Sequence, residues 1–134
     1  MRQARIINLP KILDDRGNLS FFENDNQIPF RIERTYWIYD VPSGEIRGGH
    51  AYKLQKEFII ALSGSFDLVV FNGKEEQKFS LNRSNQGVYL PSGLWRHMEN
   101  FSTNALALIV SDSVYRESDY IKDRTEYLNS VDHE

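Results

Sequence analysis

Apolar and polar residues alternate in short runs along most of this chain, the period-two pattern of half-buried β-strands. Runs at 6–9, 19–23, 32–39, 50–54, 58–62, 66–71, 77–81, 88–90, 95–100 and 105–111 read as strands. Ser63-Gly64-Ser65, Asn72-Gly73 and Pro91-Ser92-Gly93 separate them as turns. Asn-Gly is a hairpin signal, because the tightest hairpin turn needs φ > 0 at both central residues. Some ten strands in about 110 residues predict an antiparallel sandwich or barrel. The tail breaks the pattern. Over 117–131, Tyr120, Ile121, Tyr127, Leu128 and Val131 recur at helical spacing. That spacing predicts a helix with Ser118 as N-cap, its aromatic side packed on the sheet.

Composition narrows the function classes. At 134 residues, 40% hydrophobic and 26% charged, the chain is expected to fold as one domain spanning 1–134. Its formal charge of −3 gives no reason to expect nucleic-acid or anionic-membrane binding. With no cysteine, thiolate metal sites, disulfides and cysteine nucleophiles are excluded. The first residues lack the apolar core of a signal peptide, and no apolar run is long enough to span a bilayer. A cytoplasmic protein is the expectation. Aromatic residues make up 13%, which suits a β fold with a stacking or sugar-binding cavity.

One stretch carries a chemical pattern. Gly44, five residues, His50-Ala51-Tyr52, four residues, Glu57, six residues and Gly64 follow one another. This resembles the first motif of the cupin family at every spacing, with Tyr52 standing where the second His belongs. Pro91-Ser92-Gly93-Leu94-Trp95-Arg96, then Asn100, resembles the second cupin motif with Arg96 in the His position. The resemblance implies an all-β jelly-roll barrel ending in a short C-terminal helix. Residues i and i+2 of a strand share a face, so His50 and Tyr52 are expected to point together into the barrel. Two of the four metal-ligand positions are replaced. Arg96 sets a permanent cation where a metal would sit, so no metal and no cofactor are expected.

Further motifs point to a substrate. Asp15-Arg16-Gly17 followed by Glu23, and Arg47-Gly48-Gly49-His50, resemble segments of enzymes that act on dTDP-4-keto-6-deoxyhexoses. Residues 47–53, ALSGSF at 61–66, WRHMENFS at 95–102 and Asp119-Tyr120-Ile121 resemble the WxcM-like dTDP-sugar 3,4-ketoisomerases. The resemblance spans about 7 to 127. It implies a cofactor-free isomerase that moves the ketone of dTDP-4-keto-6-deoxyglucose from C4 to C3, in deoxysugar biosynthesis. It also implies a homodimer with exchanged N-terminal strands.

That chemistry assigns roles. A neutral His is the natural base for the acidified C3 proton, and the resemblance places His50 there. Charge on the enediolate needs a fixed donor or cation, which Arg96 or Tyr52 supplies. Arg16 and Arg47, with Arg34 behind them, are candidates for the diphosphate. Glu23 is expected to orient an Arg or bond the nucleoside. Tyr36, Trp37 and Trp95 are candidates to stack on thymine. His97, by alternation, falls on the face opposite Arg96. Better-known members of the family carry H-A-H where this chain has His50-Ala51-Tyr52. A phenol with an ordinary pKa near 10 is a poor base but a serviceable acid. Two further readings stay open: a non-catalytic dTDP-sugar-binding cupin and a 3,5-epimerase.

Overall fold

The computed structural model describes residues 3–131. Strands β1 (Arg5–Asn8), β4 (Arg34–Tyr39), β6 (Glu57–Ser63), β9 (Gln86–Leu90) and β11 (Leu106–Ser111) form one antiparallel sheet in the order β1-β9-β6-β11-β4. Strands β5 (Arg47–Tyr52), β7 (Phe66–Phe71), β8 (Glu76–Leu81), β10 (Trp95–Glu99) and β12 (Tyr120–Ile121) form a second, in the order β12-β5-β10-β7-β8. The two sheets face each other as a jelly-roll, the architecture the cupin pattern implies. Two short strands, β2 (Lys11–Ile12) and β3 (Leu19–Ser20), pair only with each other.

Alternation decides what fills the space between the sheets. Ile59 and Ala61 of β6, Val88 and Leu90 of β9, and Ala107 and Ile109 of β11 point inward. They meet Phe66, Leu68 and Val70 of β7, Leu81 of β8 and Met98 of β10. The outward residues Phe58, Ile60 and Val110 are covered by Ile28 and Phe30 from the irregular segment before β4. This apolar packing fills the barrel and leaves polar side chains for one end.

The tail departs from the predicted helix. It runs through a 3-10 turn (Glu117–Asp119), then β12, then a short helix α1 (Arg124–Ser130). The helix is capped not by Ser118 but by Asp123, whose side chain accepts from the Thr125 N–H. The reason is tertiary. The Asp119 carboxylate accepts the N–H groups of Leu54 and Gln55, and Tyr120 and Ile121 pair with Tyr52 and Ala51 of β5. An open sheet edge offers partners that a lone helical turn cannot. Tyr127 then plugs the outer face, buried beside Trp95, Ala51 and Ile121. Its hydroxyl lies 2.9 Å from the Gly93 carbonyl and 3.1 Å from that of Phe71.

The hairpins vary in their turns. β7 and β8 pair as Asn72-Gly73 predicts, but the loop is longer than a two-residue turn. Gly73 alone of the pair has positive φ, and the Asn72 side chain accepts the N–H groups of Lys74 and Glu75. Gly64, between β6 and β7, has φ of 63°, and a Cβ there would lie 2.8 Å from backbone atoms of Ala105. Gly64→Ala therefore should lower stability by about 2 kcal/mol from the left-handed conformation alone, and more from the clash. A fall in the urea midpoint with an unchanged slope checks this.

Candidate functional site

The polar end of the barrel is built by both sheets and the tail. His50 and Arg96 are directly opposite each other on β5 and β10, and Tyr52 and Tyr120 on β5 and β12. Cross-strand neighbours on one face approach closely. The Tyr52 and Tyr120 rings are accordingly 4.7 Å apart, and His50 and Tyr52, i and i+2 on one face of β5, are 4.9 Å apart. From the facing sheet, Arg34 and Tyr36 come from β4 and Glu57 from β6. Gly48 and Gly49 both have positive φ, and the register between β5 and β10 shifts beside them. That irregularity sets His50 across from Arg96.

Glu57 is the hub. It is fully buried, and its carboxylate accepts from three donors on three segments. Arg96 bonds one oxygen closely. The Tyr36 hydroxyl (2.6 Å) and the Gln55 amide (2.8 Å) bond the other. A buried carboxylate is tolerated only when paired and hydrogen-bonded in this way. Burial opposes the charge on Arg96, but the Glu57 carboxylate outweighs it and holds the guanidinium charged, its pKa above the ordinary value. Burial first, then the Glu57 charge, drives the phenols of Tyr36 and Tyr52 well above their usual range, so both keep their protons.

Arg96 uses its remaining donors on its neighbours. Its Nε donates to His50 Nε2 at 3.1 Å, and its guanidinium lies over the Tyr52 ring at 4.7 Å. Since Arg never accepts, that contact makes His50 Nε2 the lone-pair nitrogen and leaves the ring proton on Nδ1. Burial, then the charges of Arg96 and Lys122, lower the His50 pKa to about 3. The imidazole is therefore neutral at physiological pH, as a base must be.

Around this centre stands a second ring of groups. The Tyr52 and Tyr120 hydroxyls lie 3.1 Å apart, and the Tyr120 ring is 5.1 Å from His50. The Arg34 guanidinium lies over the rings of Tyr36 and Tyr115. Burial disfavours its charge, but the hydroxyls of Tyr120, Tyr52 and Tyr36 outweigh that and raise its pKa. Arg34 Nε is buried with no partner among the described residues. Gln55 and Tyr115 carry no motif-level signal, and the Asp119-Tyr120-Ile121 segment marks the family without giving Tyr120 a role here. Only the ladder between β5 and β12 places the tail against His50.

Several expected residues lie elsewhere. Trp95 is corrected: it is 7% exposed in the cluster with Tyr127, on the sheet face opposite Arg96, and so packs rather than lining the site. Tyr36 is in the site, bonded to Glu57 through its hydroxyl. Trp37 faces away from it, exposed on the edge strand β4. Arg16 sits at the tip of the β2–β3 ribbon, exposed and paired with Asp14 at 2.9 Å. Glu23 is exposed in the following loop, its N–H bonded to the Gln27 side chain. Arg47 borders an outer hollow of about 530 Å³ together with Trp37, Tyr39 and Ile46. His97 pairs with Glu99 at 2.6 Å, away from Arg96.

The donor set does not suit a divalent metal. Glu57 is committed to Arg96, Tyr36 and Gln55, and among the described residues no three His, Asp or Glu side chains converge.

Comparisons with known proteins bear on family and fold. A family model described as FdtA: WxcM-like, C-terminal, matches residues 2–132. The chain is 34% identical over 120 residues to the TDP-4-oxo-6-deoxy-alpha-D-glucose-3,4-oxoisomerase of Aneurinibacillus thermoaerophilus, covering 90% of this chain and 86% of that one. It superposes on the TDP-quinovose 3,4-ketoisomerase of Campylobacter jejuni with a TM-score of 0.92 at 37% identity, covering 97% of this chain and 100% of that one. A third match is a variant sugar 3,4-ketoisomerase from Thermoanaerobacterium thermosaccharolyticum, one His replaced by Asn, in complex with TDP-4-keto-6-deoxyglucose. It has a TM-score of 0.95 at 29% identity and covers 98% of this chain and 95% of that one.

Two measurements check the electrostatics. Glu57→Gln should cost about 3–5 kcal/mol of stability, because it strands the buried Arg96 charge. The double variant Glu57→Gln with Arg96→Met should recover part of that loss in urea unfolding. For His50, the unfolded chain takes a proton near pH 6.5 and the fold not until about pH 3. The unfolded state thus binds more protons between these values, and stability falls as pH drops from 6.5. NMR titration should show a neutral His50 ring at pH 5, and Arg96→Met should raise its pKa.

Proposed function

Because the chain belongs to the FdtA: WxcM-like, C-terminal family, we propose that it is a TDP-4-keto-6-deoxyglucose 3,4-ketoisomerase working without a metal. One observation carries the reading. A neutral imidazole sits against a buried, permanently charged guanidinium and a protonated phenol. Relatives of known fold and 29–37% identity that bind or act on TDP-linked sugars support the substrate class.

The chemistry follows from those groups. The C4 ketone acidifies the C3 proton. His50 accepts that proton at Nε2, the lone pair that Arg96 holds in the free protein. The substrate carbonyl takes over the Arg96 donor, so the contact that polarises the ketone also unmasks the base. Negative charge then develops on the oxygens of the enediolate. Arg96, fixed by Glu57, meets that charge without reorganising. The same charge raises the proton affinity of the adjacent His50, offsetting its low basicity in the free protein. Tyr52 donates from the neighbouring position. Reprotonation at C4 completes the shift.

Arg34, buried at Nε without a partner among the described residues, is a binding residue for a sugar or phosphate oxygen. Arg47 and Arg16 contribute to the diphosphate, with Glu23 orienting the nucleoside end. For Arg16 and Glu23 this requires a second copy of the chain. The β2–β3 ribbon exposes Ile12, Leu13 and Leu19, and the outer face exposes Trp37, Tyr39 and Leu62. A homodimer that exchanges the N-terminal segment covers these apolar groups and carries the ribbon tip to the other subunit.

Incubation with TDP-4-keto-6-deoxyglucose in deuterated buffer, followed by NMR, tests the reaction. The expected result is deuterium incorporation with a 3-keto product. His50→Asn should lower both by about a hundred- to ten-thousand-fold while TDP binding persists. Bound substrate with neither exchange nor product overturns the reading and favours a silent binding module. Light scattering should give a dimer of 15.7 kDa chains, and Leu13→Asp should weaken it.

A further inference from the structure

The ketone shift has a second proton problem that a single acid does not solve. The C3 proton leaves carbon and a proton arrives at C4. In addition, O4 must gain a proton as it becomes a hydroxyl, and O3 must lose one as it becomes a ketone. His50 serves the carbon atoms. Something must give a proton to one oxygen and take one from its neighbour.

We propose that Tyr120 is a positioning residue for this oxygen-to-oxygen transfer, acting through Tyr52 as the second hydroxyl of a two-phenol relay. This rests on the ketoisomerase reading above. Tyr52 and Tyr120 are opposed on β5 and β12, with hydroxyls 3.1 Å apart. Tyr52 is 3% exposed, whereas Tyr120 is half-buried at the rim, so the pair runs from the interior outward. Both rings lie about 5 Å from His50. Cations flank the pair: Arg96 over the Tyr52 ring, Lys122 over the Tyr120 ring at 5.3 Å, and Arg34 over the Tyr115 ring that packs on Tyr120.

The relay balances. A hydroxyl is both donor and acceptor, so a hydroxyl pair passes a proton in either direction. Tyr52 gives its proton to O4 of the enediolate and takes the Tyr120 proton in its place, so the transient phenolate is held at Tyr120 beside Arg34 and Lys122. The O3 proton then passes to Tyr52, and the one Tyr52 carries returns to Tyr120, as C3 becomes the carbonyl and C4 takes its proton from the His50 side. The two phenols finish as they began, and no electrons leave the sugar. Without Tyr120, Tyr52 still hydrogen-bonds O4 and supports enolate formation. It has nowhere to hold the proton in transit.

Tyr120→Phe separates the relay from a structural role. With TDP-4-keto-6-deoxyglucose in deuterated buffer, the variant should exchange C3 hydrogen at a rate within about threefold of the parent. Formation of the 3-keto product should fall by about a hundredfold. Adding Tyr120→Phe to Tyr52→Phe should cost little beyond Tyr52→Phe alone, because the two act as one unit. Exchange and product formation falling together, or neither falling, overturns the relay while leaving the reaction intact. A parent protein that binds substrate but neither exchanges nor isomerises overturns the reaction and the relay with it.

Discussion

The buried ion pair between Glu57 and Arg96 organises this end of the barrel. Both side chains are withdrawn from water, at 0% and 3% exposure, and neither is tolerable there alone. Three neighbouring polar side chains satisfy them. Tyr36 and Gln55 donate to the carboxylate, and His50 accepts from the guanidinium. The pair ties the two sheets together across their polar end, β6 and β4 on one side and β10 and β5 on the other. It also sets the chemistry: His50 is neutral because it is buried and a fixed cation stands beside it, and Glu57 is unavailable as a ligand because its oxygens are taken.

The pair extends outward through hydrogen bonds to the tail. Gln55 reaches Glu57 with its side chain while its N–H is accepted by Asp119. Asp119 also holds Leu54 and precedes Tyr120, whose strand closes the edge of β5. Behind this, Tyr127 and Trp95 pack the tail onto the sheet. A chain of polar contacts on the inner face and an aromatic plug on the outer face therefore fix one short segment, and that segment supplies a wall of the site.

The cupin pattern provides the frame for a metal centre, and this chain has reversed its electrostatics. A guanidinium and a phenol take two imidazole positions, so the retained Glu serves as counter-ion. Arg is suited to this because it stays charged when buried and has donors enough for a carboxylate and an imidazole at once. The phenol at position 52 keeps its proton, its pKa pushed up by burial and the Glu57 charge, and His50 stands beside the cation as a neutral imidazole.

Much of this was legible in the sequence. Alternating runs and turn residues foretold a β-sandwich, because side-chain period and turn conformation are local properties. The spacing from Gly44 to Gly64 foretold that His50, Tyr52 and Glu57 belong together, and Arg96 was legible as the cation beside them. What the sequence could not decide were facts of pairing. Helical spacing in 117–131 was genuine, yet β12 formed because Asp119 and the β5 edge offered hydrogen bonds a short helix could not match. Trp95 looked like a stacking ring, yet the tail laid Tyr127 over its face of the sheet and made it core. Composition and motif determined which chemical groups this protein has. Only the packing of residues far apart in the chain decided their partners, because burial and charge pairing depend on neighbours in space rather than in sequence.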